Sequence, residues 1–238
     1  MESLEQDAHI TGHETPSRWS GLAVRAVSAI VLALVFAMAL WKGGWIFTWF
    51  AIIAALMMMR EWNTLTEREG ALWRFSGLFY VSIPCASLIW LREVQMSDAP
   101  AAGIPLVLYV VLSVAATDIG AYFSGRQFGR HKLAPALSPN KTWEGLGGGM
   151  LAAGIIGGCC QFYTPYPASI LHGALLSMLL AVLAQGGDLF ESYLKRRAGV
   201  KDSGTLIPGH GGLLDRIDGL IFTLPLFAVL VALSGRVM

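Results

Sequence analysis

Long apolar runs alternate with short polar connections along the chain, and the runs have membrane-spanning length. Seven blocks stand out: Leu22 to Leu40, Gly44 to Met59, Leu72 to Leu91, Gly103 to Tyr122, Gly145 to Tyr163, Ala168 to Gly187 and Gly219 to Leu233. Within them the apolar residues neither keep to one helical face nor alternate as in a half-buried strand. About 20 residues of helix cross a bilayer core, so each block predicts a transmembrane helix. The second and last blocks are short, which sets the expectation at about seven spans within a range of six to nine. The predicted fold class is all-α, a polytopic integral membrane protein. Pro84 and Pro225 fall inside blocks and predict kinks whose freed carbonyls neighbouring helices must satisfy.

Composition excludes a soluble single-core domain. The 238 residues are 55% hydrophobic and 14% charged, against about 25% charged in ordinary soluble domains. A formal net charge of +1 indicates no nucleic-acid partner. Cys85, Cys159 and Cys160 all lie in apolar blocks without other metal-binding side chains at useful spacing, and read as small packing residues.

Charge distribution is more informative than its sum. The leader, residues 1–20, is polar, and Glu2, Glu5, Asp7 and Glu14 precede its first base, the wrong order for a cleavable signal peptide. Placing the N-terminus in the cytoplasm gathers all of the 17 lysines and arginines except Lys42, Arg92 and Arg236 on the cytoplasmic side. That bias sets the expected orientation, and an odd span count then puts the C-terminus outside. Residues 1–20 are expected to be a tail and 21–100 a transmembrane packing region. Residues 101–238 are expected to be a catalytic region with two cytoplasmic motif loops, because every feature suggestive of chemistry follows Thr117.

Asp118 lies near the cytoplasmic end of an otherwise apolar span, where an acid costs about 2.5 to 3.5 kcal/mol at mid-membrane on insertion scales. It is a functional candidate unless it simply reaches interfacial water. In the run Gly186 to Arg196, helical spacing puts Asp188, Glu191, Ser192 and Lys195 on one face. Glu191 with Lys195 can be read as a surface pair, whereas Asp188, directly after two glycines, is placed as a cation ligand would be. Asp215 and Asp218 also share a helix face, where like charges need a compensating cation. Magnesium favours a few carboxylates together with substrate phosphate oxygens. Asp118, Asp188, Asp215 and Asp218 are thus a candidate set for one or two metal ions.

Two loops supply basic and turn-forming residues. In the first, Ser138 before Pro139 reads as a helix N-cap with proline at the first helical position, a start whose free amides could receive phosphate. The second holds Lys195, Arg196, Arg197, Lys201 and Asp202, then Ser203-Gly204-Thr205 and Pro208-Gly209-His210-Gly211-Gly212. Bases alternating with glycines and acids suit a polyphosphate with its metal, while Arg197 reads as an orientation signal or lipid-headgroup contact. His210 is either a proton carrier or part of a tight turn. Small residues four apart, Gly145 with Gly149 and Gly154 with Gly158, fit close helix packing in one subunit or a seam between two copies in a homodimer.

The ordered run Ser192-Tyr193-Leu194-Lys195-Arg196, Lys201-Asp202-Ser203-Gly204 and Pro208 to Asp218 resembles the signature of the phosphatidate cytidylyltransferases. Thr117 to Tyr122, Ser138 to Gly145 and Gly187 to Ser192 resemble that family's other blocks, so the likeness covers about residues 110 to 225. It implies a reaction of CTP with phosphatidate, giving CDP-diacylglycerol and pyrophosphate at the inner membrane. It also implies Mg2+ as cofactor, with room for a second cation. The catalytic residues would be Asp188, Asp215, Asp218, Lys201 and Asp202. Substrate would be bound by Ser138, Asn140, Lys141, Thr142, Glu144, Ser192, Lys195, Arg196, His210 and Arg216. The rival expectations are a CTP-dependent polyprenol or lipid kinase, which would release CDP, and an ion-coupled secondary transporter, which would show inverted repeats and deeper acids.

Overall fold

The computed structural model describes residues 18–99, 101–207 and 211–237. Three helices come first: α1 (Arg18–Lys42), α2 (Gly44–Leu65) and α3 (Ala71–Glu93). After α4 (Gly103–Phe128) comes a short hairpin of β1 (Lys132–Ala134) and β2 (Ser138–Thr142), then α5 (Trp143–Cys160), α6 (Ile170–Ala198) and α7 (Leu214–Leu233). Among the described residues, six helices are long and apolar enough to cross a membrane: all but α5. α5 has 18 residues, about 27 Å at 1.5 Å per residue, and is rich in glycine. The expected fifth block extends to Tyr163, but the helix ends at Cys160 and residues 161–163 form a turn.

The fold is all-α as expected, with a short hairpin beside the helices. The hairpin is antiparallel, pairing Lys132 with Thr142 and Ala134 with Ser138. It corrects the expected helix start, because Ser138 lies on β2 and the N-cap of α5 is Thr142, whose Oγ1 accepts from the Gly145 amide at 3.0 Å. A residue before proline is pushed out of the helical region into extended backbone, and proline itself tolerates an edge strand. Thr142, at the end of that strand, keeps the extended backbone of an N-cap and supplies the capping oxygen, and Glu144 in the first turn favours the positive helix end.

α4 packs against α3, α5, α6 and α7 and is the centre of the bundle. Tyr109 on α4 donates to the Gly173 carbonyl at 2.7 Å and receives the Ser177 hydroxyl at 2.8 Å, while Ser113 and Ser177 share a bond of 2.8 Å. These buried hydroxyls satisfy one another across the α4–α6 contact. Large apolar side chains such as Val27, Ile30, Leu34, Ile53 and Leu78 remain on the outside, as a lipid-facing surface requires. Exposed Trp41, Trp45 and Tyr163 mark one end. That end also gathers Arg92, which donates to the Leu40 carbonyl, and Arg236, which donates to the Pro165 carbonyl. The chemistry-bearing residues lie at the other end, where α2, α4 and α6 finish and α5 and α7 begin.

The small residues of α5 are used within the chain. A Cβ on Gly157 would sit 1.9 Å from Ser177 Oγ and 2.5 Å from the Gly173 carbonyl, whereas one on Gly147 would meet nothing within 4 Å. Gly157→Leu is expected to lower the thermal midpoint in detergent through an overpacking cost of about 1 to 3 kcal/mol. Gly147→Ala is expected to be neutral or slightly stabilising, since alanine is the better helix former. Melting curves of the two variants beside the parent check this.

Candidate active site

The hairpin carries a lysine into the helix bundle. Lys141 Nζ lies 2.6 Å from Asp188 Oδ2 and 3.4 Å from the Gln185 carbonyl, so β2 is tied to the middle of α6. Glu144 fixes the other side of the hairpin. Its carboxylate accepts from the Arg130 amide at 3.2 Å and the His131 amide at 3.2 and 3.3 Å, and meets His131 Nδ1 at 2.6 Å. The bond from the His131 ring is the main cause, with amide bonds adding to it, of a Glu144 carboxyl pulled down to about 2.

α6 does not stop at its apolar block but continues to Ala198, ending at Gly199, which adopts a left-handed conformation at φ 71°. Asp188, Glu191, Ser192 and Lys195 therefore do lie along a helix. Gly187 lets α7 approach α6 closely at the site, since a Cβ there would fall 2.3 Å from the Asp218 carbonyl. Lys195 Nζ lies 2.7 Å from Asp215 Oδ1 and 3.5 Å from Glu191 Oε1, and Ser192 donates weakly to Asp188 at 3.4 Å. Glu191 is fully buried, and among the described residues neither of its oxygens has a hydrogen-bond donor. The expectation of a surface pair for Glu191 and Lys195 is corrected, because the close α6–α7 contact covers that face.

The two acids of α7 divide their work. Asp215 Oδ2 accepts from the Ser203 amide and hydroxyl, both at 2.9 Å, and from the Gly212 amide at 2.8 Å, so this carboxylate organises the loop before α7. Asp218 accepts from the Gly219 amide at 2.7 Å and lies within electrostatic reach of Asp188, Asp118 and Glu191. Asp118, on α4, is in reach of Asp188 and Lys141. Asp118, Asp188 and Asp218, from three helices, are thus within electrostatic reach of one another, and Glu191 is in reach of Asp218. Among the described residues no group of three or more such side chains is placed to hold a metal ion as it stands. The buried Glu191 oxygens without a hydrogen-bond donor are the feature that suits a divalent cation.

The remaining candidates are more dispersed. Asn140 is exposed on β2, and Ser138 and Thr142 belong to the hairpin pairing and the α5 cap. Arg196 is exposed, its Nε 3.5 Å from the Leu137 carbonyl of the hairpin turn. Arg216 is exposed in the first turn of α7. Lys201 and Asp202 line an open cleft of about 950 Å³, together with Arg60, Thr64, Arg68 and Ser203. His210 lies outside the described residues. Arg197 corrects the lipid-headgroup expectation: its guanidinium meets both Glu69 oxygens, at 2.5 and 2.7 Å, donates to Tyr193 Oη at 2.9 Å and stacks over Trp73.

One residue escapes sequence reasoning. Glu61 on α2 is 7% exposed and accepts from the amides of Leu213 and Leu214, both at 2.8 Å, and from the Ser203 hydroxyl at 3.2 Å. Its signal is an acid just past the end of an apolar block, between Arg60 and Trp62.

A bundle of lipid-facing helices that encloses acids and lysines at one end, beside an open polar cleft, defines a membrane-embedded protein for phosphate-bearing ligands. Residues 70–234 match the model of the cytidylyltransferase family. The chain is 35% identical to a phosphatidate cytidylyltransferase of Brucella suis biovar 1 (strain 1330), with 85% of this chain and 90% of that protein covered. It is 37% identical to one of Rickettsia bellii (strain RML369-C), covering 87% and 89%, and 30% identical to one of Staphylococcus haemolyticus (strain JCSC1435), covering 88% and 99%. This chain belongs to the cytidylyltransferase family and is a multi-pass membrane protein.

The hairpin's tie through Glu144 has a defined pH range. A carboxyl held below its ordinary value of 4.5 stabilises the fold fully above that value and loses the contribution as pH falls towards about 2. Slowed exchange of the Arg130 and His131 amides is expected to persist from pH 7 to below 4.5, after correction for intrinsic rates, and to fail only near pH 2. Glu144→Gln is expected to lose the protection at every pH, which hydrogen exchange with mass spectrometry detects.

Proposed function

We propose that this protein is a phosphatidate cytidylyltransferase, joining CTP to phosphatidate at the cytoplasmic membrane face to give CDP-diacylglycerol and pyrophosphate. The observation that carries the mechanism is the convergence of Asp118, Asp188 and Asp218 from three helices with two loop-tied lysines at one end of the bundle. A lipid substrate keeps its acyl chains among the exposed apolar faces, while CTP comes from water through the cleft that Lys201 and Asp202 line.

An oxygen of the lipid phosphate attacks the α-phosphorus of CTP. The bond from that phosphorus to the oxygen bridging to the β-phosphorus breaks, and pyrophosphate leaves with the electron pair. The nucleophile is already anionic, so no strong general base is needed; positioning and charge neutralisation carry the rate. Asp118, Asp188 and Asp218 would hold Mg2+, with Glu191 in reach of Asp218. When bound, the ion neutralises charge on the attacking and leaving oxygens. Lys141 and Lys195 are held by Asp188 and Asp215 at fixed geometry, which lets their ammonium groups face phosphate without searching for a position. Arg196, Lys201 and Asn140 stand at the water side for the polyphosphate. Ser138, Thr142 and Glu144 support the hairpin that aims Lys141.

With phosphatidate, Mg2+ and CTP labelled at the α-phosphorus, purified protein is expected to release pyrophosphate and place the label in lipid. Release of CDP with phosphorylation of a lipid alcohol would identify a kinase instead. Asp188→Asn and Asp218→Asn are each expected to abolish turnover in folded protein. Lys141→Ala is expected to slow turnover about ten- to a hundredfold, the loss of a charged hydrogen bond worth about 1.5 to 3 kcal/mol. Arg197→Ala is expected to lower thermal stability more than turnover.

Orientation follows from the base distribution. A cysteine placed at Pro165 is expected to react with an impermeant reagent from outside, and one at Thr205 only after permeabilisation. The reverse pattern would put the cleft on the side without CTP.

A further inference from the structure

We propose that Glu61 is a positioning residue for the reaction, setting the start of α7 and through it the placement of Asp215 and Asp218. α7 begins without help from its own sequence: the residue at its N-cap is Leu213, which supplies no side-chain cap. Leucine has no oxygen with which to receive the first free amides of the helix. The acceptor comes instead from a helix some 150 positions earlier. Glu61 Oε1 takes the Leu213 amide and Oε2 takes the Leu214 amide, each at 2.8 Å. A carboxylate there also meets the positive end of the α7 dipole.

A second route leads from the same side chain to the same acid. The Ser203 hydroxyl lies 3.2 Å from Glu61 Oε2 and 2.9 Å from Asp215 Oδ2, and Asp215 in turn holds Lys195. Glu61 thus grips both the backbone that carries Asp215 and Asp218 and the loop that Asp215 binds. A buried carboxylate is costly unless its hydrogen bonds are made, and here backbone amides and a hydroxyl make them. The arrangement found couples α2 to the reacting centre, and Glu61 falls before the segment, residues 70–234, that matches the family model.

This inference rests on the assignment of Asp215 and Asp218 to the reacting centre. The test uses full-length protein in detergent with the variants Glu61→Gln and Asp218→Asn. Four readouts are kcat and KM for CTP, Mn2+ binding without substrates by electron paramagnetic resonance, amide exchange over residues 211–218, and the thermal midpoint. Glu61→Gln keeps the shape but only one acceptor oxygen. It is expected to lower kcat at least tenfold with KM for CTP changed less than threefold, to weaken Mn2+ binding severalfold and to speed exchange at Leu213 and Leu214. All of this should occur at temperatures where the variant is fully folded. Normal kcat and Mn2+ affinity in Glu61→Gln, with Asp218→Asn inactive, would overturn the inference and leave the site assignment standing. An active Asp218→Asn would instead remove the site assignment on which it rests. If Glu61→Gln does not accumulate, Glu61→Asp, which keeps both acceptor oxygens on a side chain one carbon shorter, takes its place. Lowered kcat and weakened Mn2+ binding in that folded variant support the inference, and normal kcat and Mn2+ affinity overturn it.

Discussion

The ion pairs Lys141–Asp188 and Lys195–Asp215, at 2.6 and 2.7 Å, bind the hairpin to α6 and α6 to α7 at the polar end of the bundle. A carboxylate on a membrane helix is expensive unless paired. Asp188 obtains its partner from a hairpin between α4 and α5, and Asp215 obtains its partner from the last turns of α6. Each pair therefore fixes one part of the chain against another while lowering the cost of the acid. Asp118, Asp188 and Asp218 thereby stand within electrostatic reach of one another at this end.

Close backbone contact makes this geometry attainable. Gly187 has no Cβ to keep Asp218 away, and Gly157 lets α5 lie against α6 so that the hairpin preceding α5 reaches Gln185 and Asp188. In lipid, where apolar burial drives helix association weakly, small residues and interhelical hydrogen bonds take over. The Tyr109, Ser113 and Ser177 network is the second device, and it lies in the same three-helix core. Arg197 extends the scheme outward, clamping the end of α6 to the α2–α3 connection through Glu69 and Trp73.

Hydropathy and the motif blocks determined the membrane class, the run of helices and the acids and bases that gather at one end of the bundle. They could do so because membrane-spanning length and helical spacing are local properties of a sequence. Which acid does what was decided only by tertiary structure. Asp215 and Asp218, equivalent in spacing, separate into a loop organiser and an acid of the α4–α6–α7 cluster because one faces Ser203 and the other Asp188. Ser138 looks like a cap in sequence and is not one, since the residues from Ser138 to Thr142 pair with β1 and the helix begins only where that pairing ends. Glu61 could not be linked to Leu213 and Leu214 from sequence, because a hydrogen bond between residues some 150 positions apart exists only once α2 and α7 are packed.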